Sequence, residues 1–403
     1  MSSKRHYLLH PVVWLAALGY FVDIYDLLLF SIIRIPSLND IGVENITGTG
    51  LLILNTQMFG LLLGGILWGV LGDKLGRTRV LFYSIALYSI GNLLNGFVQS
   101  GTQYALIRFI AGVGLAGELG AGITLVSELL PKNKRGLGTA LVAGFGLTGA
   151  VFAFFISQWF PWRTCYFIGG GMGLLLLTLR MSVFESKLYK KLSEKTHVAK
   201  GNFLMLFNKR ERFMRYLRSI LIGLPTWFVV GILISFSPEF ARQLGIEQPI
   251  DPGKGIMISY AAIAAGDIAI GLLSQHLKSR KKALHVFYLI TIVGMVVFFT
   301  ASTPWQLYLS TGIMGFGTGF WAVFITIGAE NFGTNLRATA ATTIPNMARG
   351  SLNMISALFL FLTSQISYLN SGIVTGVIVM LVTYWAIYGL QETFGRDLDF
   401  IEE

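Results

Sequence analysis

Apolar residues run along this chain in blocks of about 20 or more, with little polar alternation inside them, and the polar residues gather between the blocks. A helix needs about 20 residues to cross roughly 30 Å of hydrocarbon, whereas the strands of a membrane barrel would alternate polar and apolar positions. The pattern predicts twelve transmembrane helices, at about 12–34, 50–71, 80–100, 103–130, 136–158, 161–181, 216–241, 254–277, 283–301, 304–329, 338–366 and 370–390. Nine lysines and arginines from Lys187 to Arg215 interrupt it. The stretch 182–215 therefore reads as a basic linker between an N-terminal six-helix bundle (1–181) and a C-terminal one with a polar tail (216–403).

The two halves repeat each other at a shift of 202 residues. Gly69 to Arg79, a charged turn between the second and third segments, returns as Gly271 to Lys281, with Asp73 replaced by Gln275 and Gly76 by Lys278. Glu128 and Arg135 land on Glu330 and Arg337 under the same shift. Two bundles of like orientation joined by a linker form the parallel-repeat plan of many transporters.

Composition agrees with a membrane chain: of 403 residues, 54% are hydrophobic and 13% charged, with a mean hydropathy of +0.65. Of the 31 Lys and Arg, 25 fall in the termini and on one set of loops. Four (Arg34, Arg163, Arg242, Lys254) fall on the opposite set, and Arg108 and Arg349 fall inside segments. Basic short loops stay in the cytoplasm, so both termini are expected there. The net charge of +11 needs no nucleic acid, since topology and anionic headgroups account for it. The expected partners are the bilayer of a cell (inner) membrane and a small-molecule substrate, for a chain acting as a monomer. The first segment is expected to insert without a cleavable signal. Cys165 is the lone cysteine, which excludes an intrachain disulfide or a thiolate metal cage. No phosphate loop, catalytic triad or metal set is legible, so neither an enzyme nor a bound cofactor is expected. Trp159, Trp162 and Trp305 read as interfacial anchors.

Gly69-x-x-x-Asp73-x-x-Gly76-Arg77-x-Arg79 resembles the signature loop of the major facilitator superfamily. The tail Glu392-Thr393-Phe394-Gly395-Arg396 and the stretch Phe184-Glu185-Ser186 resemble boxes of its sugar-porter-like clade, although their prolines are missing. Gly19 to Asp26 resembles the metabolite–proton symporters and organic-ion transporters of that clade. The segment 223–231 lacks the paired glutamines with which sugar porters hold hexoses, which argues against a sugar. The resemblance implies a lock at the cytoplasmic helix ends, formed when the cavity faces outward, from Gly69, Asp73, Gly76, Arg77, Arg79, Glu128, Arg135, Glu185, Glu330, Arg337 and Glu392. Topology-setting and capping charges are the plainer account of the same residues.

Six charges lie inside segments and belong to one half only: Asp23, Asp26, Arg108, Glu118, Asp267 and Arg349. Such charges cost roughly 2.5–3.5 kcal/mol each on insertion scales, so each calls for a partner and a role. Asp26 lies about 12 Å below the outer surface and Arg108 about 9 Å, at about 1.5 Å per residue, so the two can meet. The resemblance implies that they form the proton-coupling pair; a static ion pair is the plainer alternative. Asp23, one turn deeper on nearly the same face, would relay the proton, and Glu118 would serve the cavity or sit as a buried neutral acid. Asp267 and Arg349 are both near the midplane and are expected to pair with each other. Arg349, flanked by Asn346 and Asn353, suits bidentate recognition of a carboxylate. Tyr25, Gln57, Trp227, Phe320 and Trp321 are further candidates to line the cavity. The expected function is proton-coupled import of a small polar metabolite, an organic anion or amino acid, by alternating access. A proton-driven exporter and a non-transporting receptor are the alternatives.

Overall fold

The computed structural model describes residues 11–75, 77–118, 135–184, 203–395 and 402. The first half contributes α1 (Pro11–Asp40), α2 (Ile46–Leu75), α3 (Arg77–Asn95), α4 (Gly101–Leu115), α5 (Arg135–Trp159) and α6 (Trp162–Phe184). After a 3-10 turn at Phe203–Phe207 follow α7 (Arg210–Leu221) and α8 (Leu224–Phe228), which runs into a π-helical turn, Val229–Ile234. The second half continues with α9 (Ser237–Gln243), α10 (Pro252–His276), α11 (Arg280–Phe299), α12 (Pro304–Thr318) and α13 (Trp321–Glu330). It ends with α14 (Thr334–Gly350), α15 (Leu352–Thr363) and α16 (Tyr368–Tyr388).

Among the described residues, nine helical stretches are long and apolar enough to cross a membrane. The other three predicted segments are α3, α4 with the residues after it, and α14–α15, which is interrupted at Ser351. Polar helix starts are capped from the sequence: Ser100, Asp251, Thr303 and Ser367 each accept a backbone N–H with the side chain. Lys278, the counterpart of Gly76 in the repeat, ends α10 with φ of 49°, the left-handed region that glycine adopts without cost.

Lipid tails are as apolar as leucine, so small residues that let backbones approach drive packing here. In α2 and α4, a side chain at Gly60 would run into the Phe109 carbonyl, and one at Gly112 into that of Gln57. In the first half α1 packs along α5 and α6, and α3 against α4 and α6; in the second, α12 lies against both α10 and α11. The halves meet where α5 packs on α10 and where α14 packs on α2. The repeat relates α2 to α10 and α5 to α14, so these two contacts are images of one another.

The structure departs from the predicted segments at four places. Predicted segment 7 is cut into α7, α8, the π turn and α9, with α7 starting at Arg210, inside the predicted linker. Pro225 and Pro238 occupy the first turns of α8 and α9, where a missing N–H costs nothing. Segment 10 breaks at Gly319 and segment 11 at Ser351. Finally, α1 runs on to Asp40, which places Arg34 inside the helix and leaves it buried. Trp159 and Trp305 are exposed, as interfacial anchors should be, but Trp162 is buried and donates its indole N–H to Asp40 at 3.1 Å.

Candidate functional site

Three buried acid–base pairs lie along α1. Asp26 and Arg108 meet as expected, Nη1 to Oδ1 at 2.7 Å, with both side chains fully buried. Arg108 spends every nitrogen: Nη2 on the Asp26 carbonyl (2.9 Å), Nε on Gln57 (3.1 Å), and Nη1 also on Asn92 (3.2 Å). The second pair joins Glu118, just beyond α4, to Arg180 of α6 through both carboxylate oxygens, Nη1 reaching Oε2 at 3.0 Å. Arg180 also donates to the Leu15 carbonyl at 3.2 Å. Sequence reading placed Arg180 among the loop cations and left Glu118 without a partner. Its position inside the block 161–181 was the available signal.

The third pair crosses between the halves. Arg349, on the last turn of α14, reaches Asp23 of α1 at 3.4 Å. Both are buried, and Arg349 Nε and Nη1 and Asp23 Oδ1 have no hydrogen-bond partner among the described residues. The Arg349 guanidinium lies 6.0 Å from the centroid of the Trp227 ring, a cation–π distance. Trp227 stands edge-on to Trp321 at 6.0 Å, and Trp321 packs on Phe324 at 4.8 Å. The indole N–H groups of Trp227 and Trp321 are buried and likewise without a partner among the described residues. Tyr20 of α1 and Tyr260 of α10 are within electrostatic reach of both Asp23 and Arg349. The breaks before α8, before α13 and after α14 bring Trp227, Trp321 and Arg349 to one place.

The expected Asp267–Arg349 pair does not form. Asp267 Oδ1 instead accepts the backbone N–H of Ala322 at 3.0 Å, in the first turn of α13, whose opening N–H groups have no helical acceptor of their own. Three other cavity candidates are engaged elsewhere. Gln57 accepts from Arg108 and donates to the Leu27 carbonyl at 2.9 Å, so it braces the first ion pair. Tyr25 donates to the Cys165 carbonyl at 2.8 Å, and Phe320 is fully buried edge-on to Tyr288 at 5.3 Å. Asn346 ties the halves together, donating to the Ala116 carbonyl at 2.9 Å.

Of the expected lock, Gly76, Glu128 and Glu185 and the side chains of Asp73, Arg77 and Arg135 lie outside the described residues. Gly69 faces α14, where an added Cβ would first meet Thr343 at 3.8 Å, and Arg79 is exposed on α3. Arg337 is half-buried on α14. Glu330 forms a bidentate pair with Arg280, both contacts at 2.6 Å. Glu392 accepts the N–H groups of Arg280 (3.0 Å) and Lys281 (3.3 Å) and the Ser279 hydroxyl, capping α11. Burial pushes the Glu392 carboxyl up, but Ser279 and the N–H groups of Phe394, Arg280 and Lys281 outweigh that and hold it below the usual glutamate range. Glu402 of the tail accepts from Arg212 at 3.2 Å and pairs with Arg215 at 3.1 Å.

A second cross-half ion pair was missed. Arg34 of α1 pairs with Glu239 of α9 at 2.8 Å, Thr47 donates to the same carboxylate at 3.0 Å, and the guanidinium lies 4.3 Å from the centroid of the Phe236 ring. It sits at the end of the molecule that the charge bias assigns to the outside. Glu239 fell within a predicted segment and could have been counted with the intramembrane charges.

Residues 16–357 match the Major Facilitator Superfamily. The chain belongs to that family. Its fold is that of the xylose transporter XylE from E. coli, with a TM-score of 0.73 at 17% identity, over 97% of this chain and 100% of that one. Among curated relatives, the cis,cis-muconate transport protein of Acinetobacter baylyi is 27% identical over 92% of this chain and 90% of its own. The niacin transporter NiaP of the same organism is 26% identical over 84% and 83%. The sialic acid transporter NanX of Escherichia coli is 34% identical over 48% of each chain. This superfamily member is thus a multi-pass membrane transporter of small metabolites and not an enzyme.

Proposed function

We propose that this transporter imports a small organic carboxylate together with a proton, by alternating access of a site between its two halves. One observation carries the reading: Arg349 is buried where the halves meet, with two N–H-bearing nitrogens unpartnered among the described residues, beside the Trp227 and Trp321 rings. Once Nη2 leaves Asp23, either edge of the guanidinium, Nε with Nη2 or Nη1 with Nη2, matches a carboxylate in a bidentate fork, and flanking indoles favour a flat or unsaturated body. Niacin, muconate and sialic acid, named for the relatives, share only the carboxylate as a recognition group. Asp26, nearer the outer end than Asp23, would take the proton from outside and release Arg108, and Asp23 would pass it inward. The chain would act as a monomer in a cell (inner) membrane.

A thermal-shift screen of the purified protein in detergent, with nicotinate, benzoate, cis,cis-muconate, neutral sugars and amino acids, tests the reading. A ligand bound only by the folded state at a hundred times its Kd adds about 2.7 kcal/mol of apparent stability. Carboxylates should stabilise the wild type, and Arg349→Lys, which keeps charge but loses the fork, should weaken that binding at least about tenfold. Stabilisation by sugars alone would overturn it. Flux in inside-out vesicles separates import from proton-driven export.

A further inference from the structure

The three buried pairs differ in how their arginines are satisfied. Arg108 is bonded through all its nitrogens to residues of its own half, and Arg180 holds both oxygens of Glu118, also within the first half. Arg349 makes a single 3.4 Å contact, to a carboxylate of the other half, with Nε and Nη1 still unpartnered among the described residues. Asp23 is therefore placed as a carboxylate that a ligand of the same chemistry can displace. The competition is between like groups: either Asp23 or the substrate carboxylate can take the guanidinium, and the displaced partner would be left as a buried charge. A buried carboxylate that loses its counter-charge is relieved by a proton.

Resting on the carboxylate reading above, we propose that Asp23 is the internal competitor of the substrate carboxylate for Arg349 and that its displacement is what couples a proton to each substrate bound. The exchange balances: the substrate carboxylate forms the ion pair with Arg349, the Asp23–Arg349 pair breaks, and one proton from the outer solution adds to the Asp23 carboxylate. On release, Arg349 recaptures Asp23, and the proton leaves to the inner solution with the substrate. The charged and titratable groups facing Asp23 are Arg349 on α14, Glu118 beyond α4, Tyr88 on α3, Tyr260 on α10, and Tyr20 and Asp26 on α1. Glu118 is paired with Arg180 and Asp26 with Arg108, so neither of those arginines is available to Asp23 when it loses Arg349. Of the three pairs, only this one crosses between the halves, so the proton and the substrate meet at one contact on the seam.

The wild-type protein tests this without a mutation. Titration calorimetry with nicotinate or benzoate, both ionised from pH 6 to 8, in buffers of different ionisation enthalpy should show uptake of about one proton per carboxylate bound, with affinity falling up to about tenfold per pH unit as pH rises. In Asp23→Asn that slope should flatten while binding and exchange in proteoliposomes persist, and accumulation driven by a pH gradient should be lost; Asp23→Glu should restore part of the slope. Asp26→Asn should lose accumulation but keep the slope of equilibrium binding. Carboxylate binding by the wild type without proton uptake, or a slope retained by Asp23→Asn, overturns this inference and leaves the carboxylate reading standing. If none of the carboxylates binds the wild type, the carboxylate reading falls, and this inference with it.

Discussion

Gly19 leaves the space into which Glu118 and Arg180 close, since a Cβ at that position would run into both side chains. The pair is buried, bidentate and confined to the first half, which makes it a structural clamp joining α6 to the α4 end rather than a mobile switch. Removing one partner of such a pair leaves an uncompensated buried charge, at a cost of about 3–5 kcal/mol, whereas removing both leaves none. Glu118→Gln and Arg180→Gln should each lower thermal stability in detergent sharply, and the double variant should recover part of the loss. Additive losses would assign the cost to packing instead. At this scale the sequence disclosed six charges inside the helical segments, five of them buried, because a charge inside an apolar block is conspicuous. It did not disclose Arg180 or Arg34, which lie one turn from a block's end, where a loop and a helix read alike. Nor could spacing along one helix tell whether Arg349 faces Asp267 or Asp23, since that depends on how the two halves dock.

The second-half helices that carry the candidate site are the broken ones. Hydrophobic blocks show that a segment spans, but a break costs little apolar area, so segments 7, 10 and 11 read as continuous while the structure interrupts each. Breaks put polar backbone and side chains at depth, which a membrane tolerates where they are buried in protein or line a cavity. Asp267 shows how one is stabilised: its carboxylate accepts the Ala322 N–H at the start of α13 and so holds Trp321 beside Trp227. A capping role and an ion-pair role make opposite demands on this residue. Asn keeps the acceptor and loses the charge, so Asp267→Asn should retain carboxylate affinity and stability. Asp267→Ala should cost about 1 kcal/mol, typical of a lost cap, and loosen binding through Trp321. Equal loss in both variants, measured by thermal unfolding and ligand titration, would return Asp267 to the role of counter-charge.

At the scale of the whole molecule, alternating access requires contacts that hold one end shut and can be released. The end bearing the α1–α2 turn is held by Arg34, Glu239 and Thr47, the only such cross-half ion pair at that end among the described residues. Hydrogen bonds to charged groups contribute about 1.5–3 kcal/mol each when buried, and 2 kcal/mol shifts a two-state ratio about 30-fold. Losing the latch should therefore populate conformations open at that end. Ile32 lies just inside it, against Gly253 across the seam between the halves, and is buried. With the lone cysteine removed as Cys165→Ser, an Ile32→Cys reporter should react slowly with a membrane-impermeant thiol reagent. Adding Glu239→Gln or Arg34→Gln should raise the rate at least about tenfold, and a saturating carboxylate should change the rate in both backgrounds. The Asp23–Arg349 contact lies deeper on the same seam and should respond differently. Asp23→Asn removes the internal competitor without unlatching the end, so it should leave the reporter's rate in the ligand-free protein within a few-fold of the parent. If Asp23→Asn exposed Ile32→Cys as strongly as Glu239→Gln does, the central pair would be part of the closure itself, and substrate would act by opening the end rather than by exchanging one carboxylate for another.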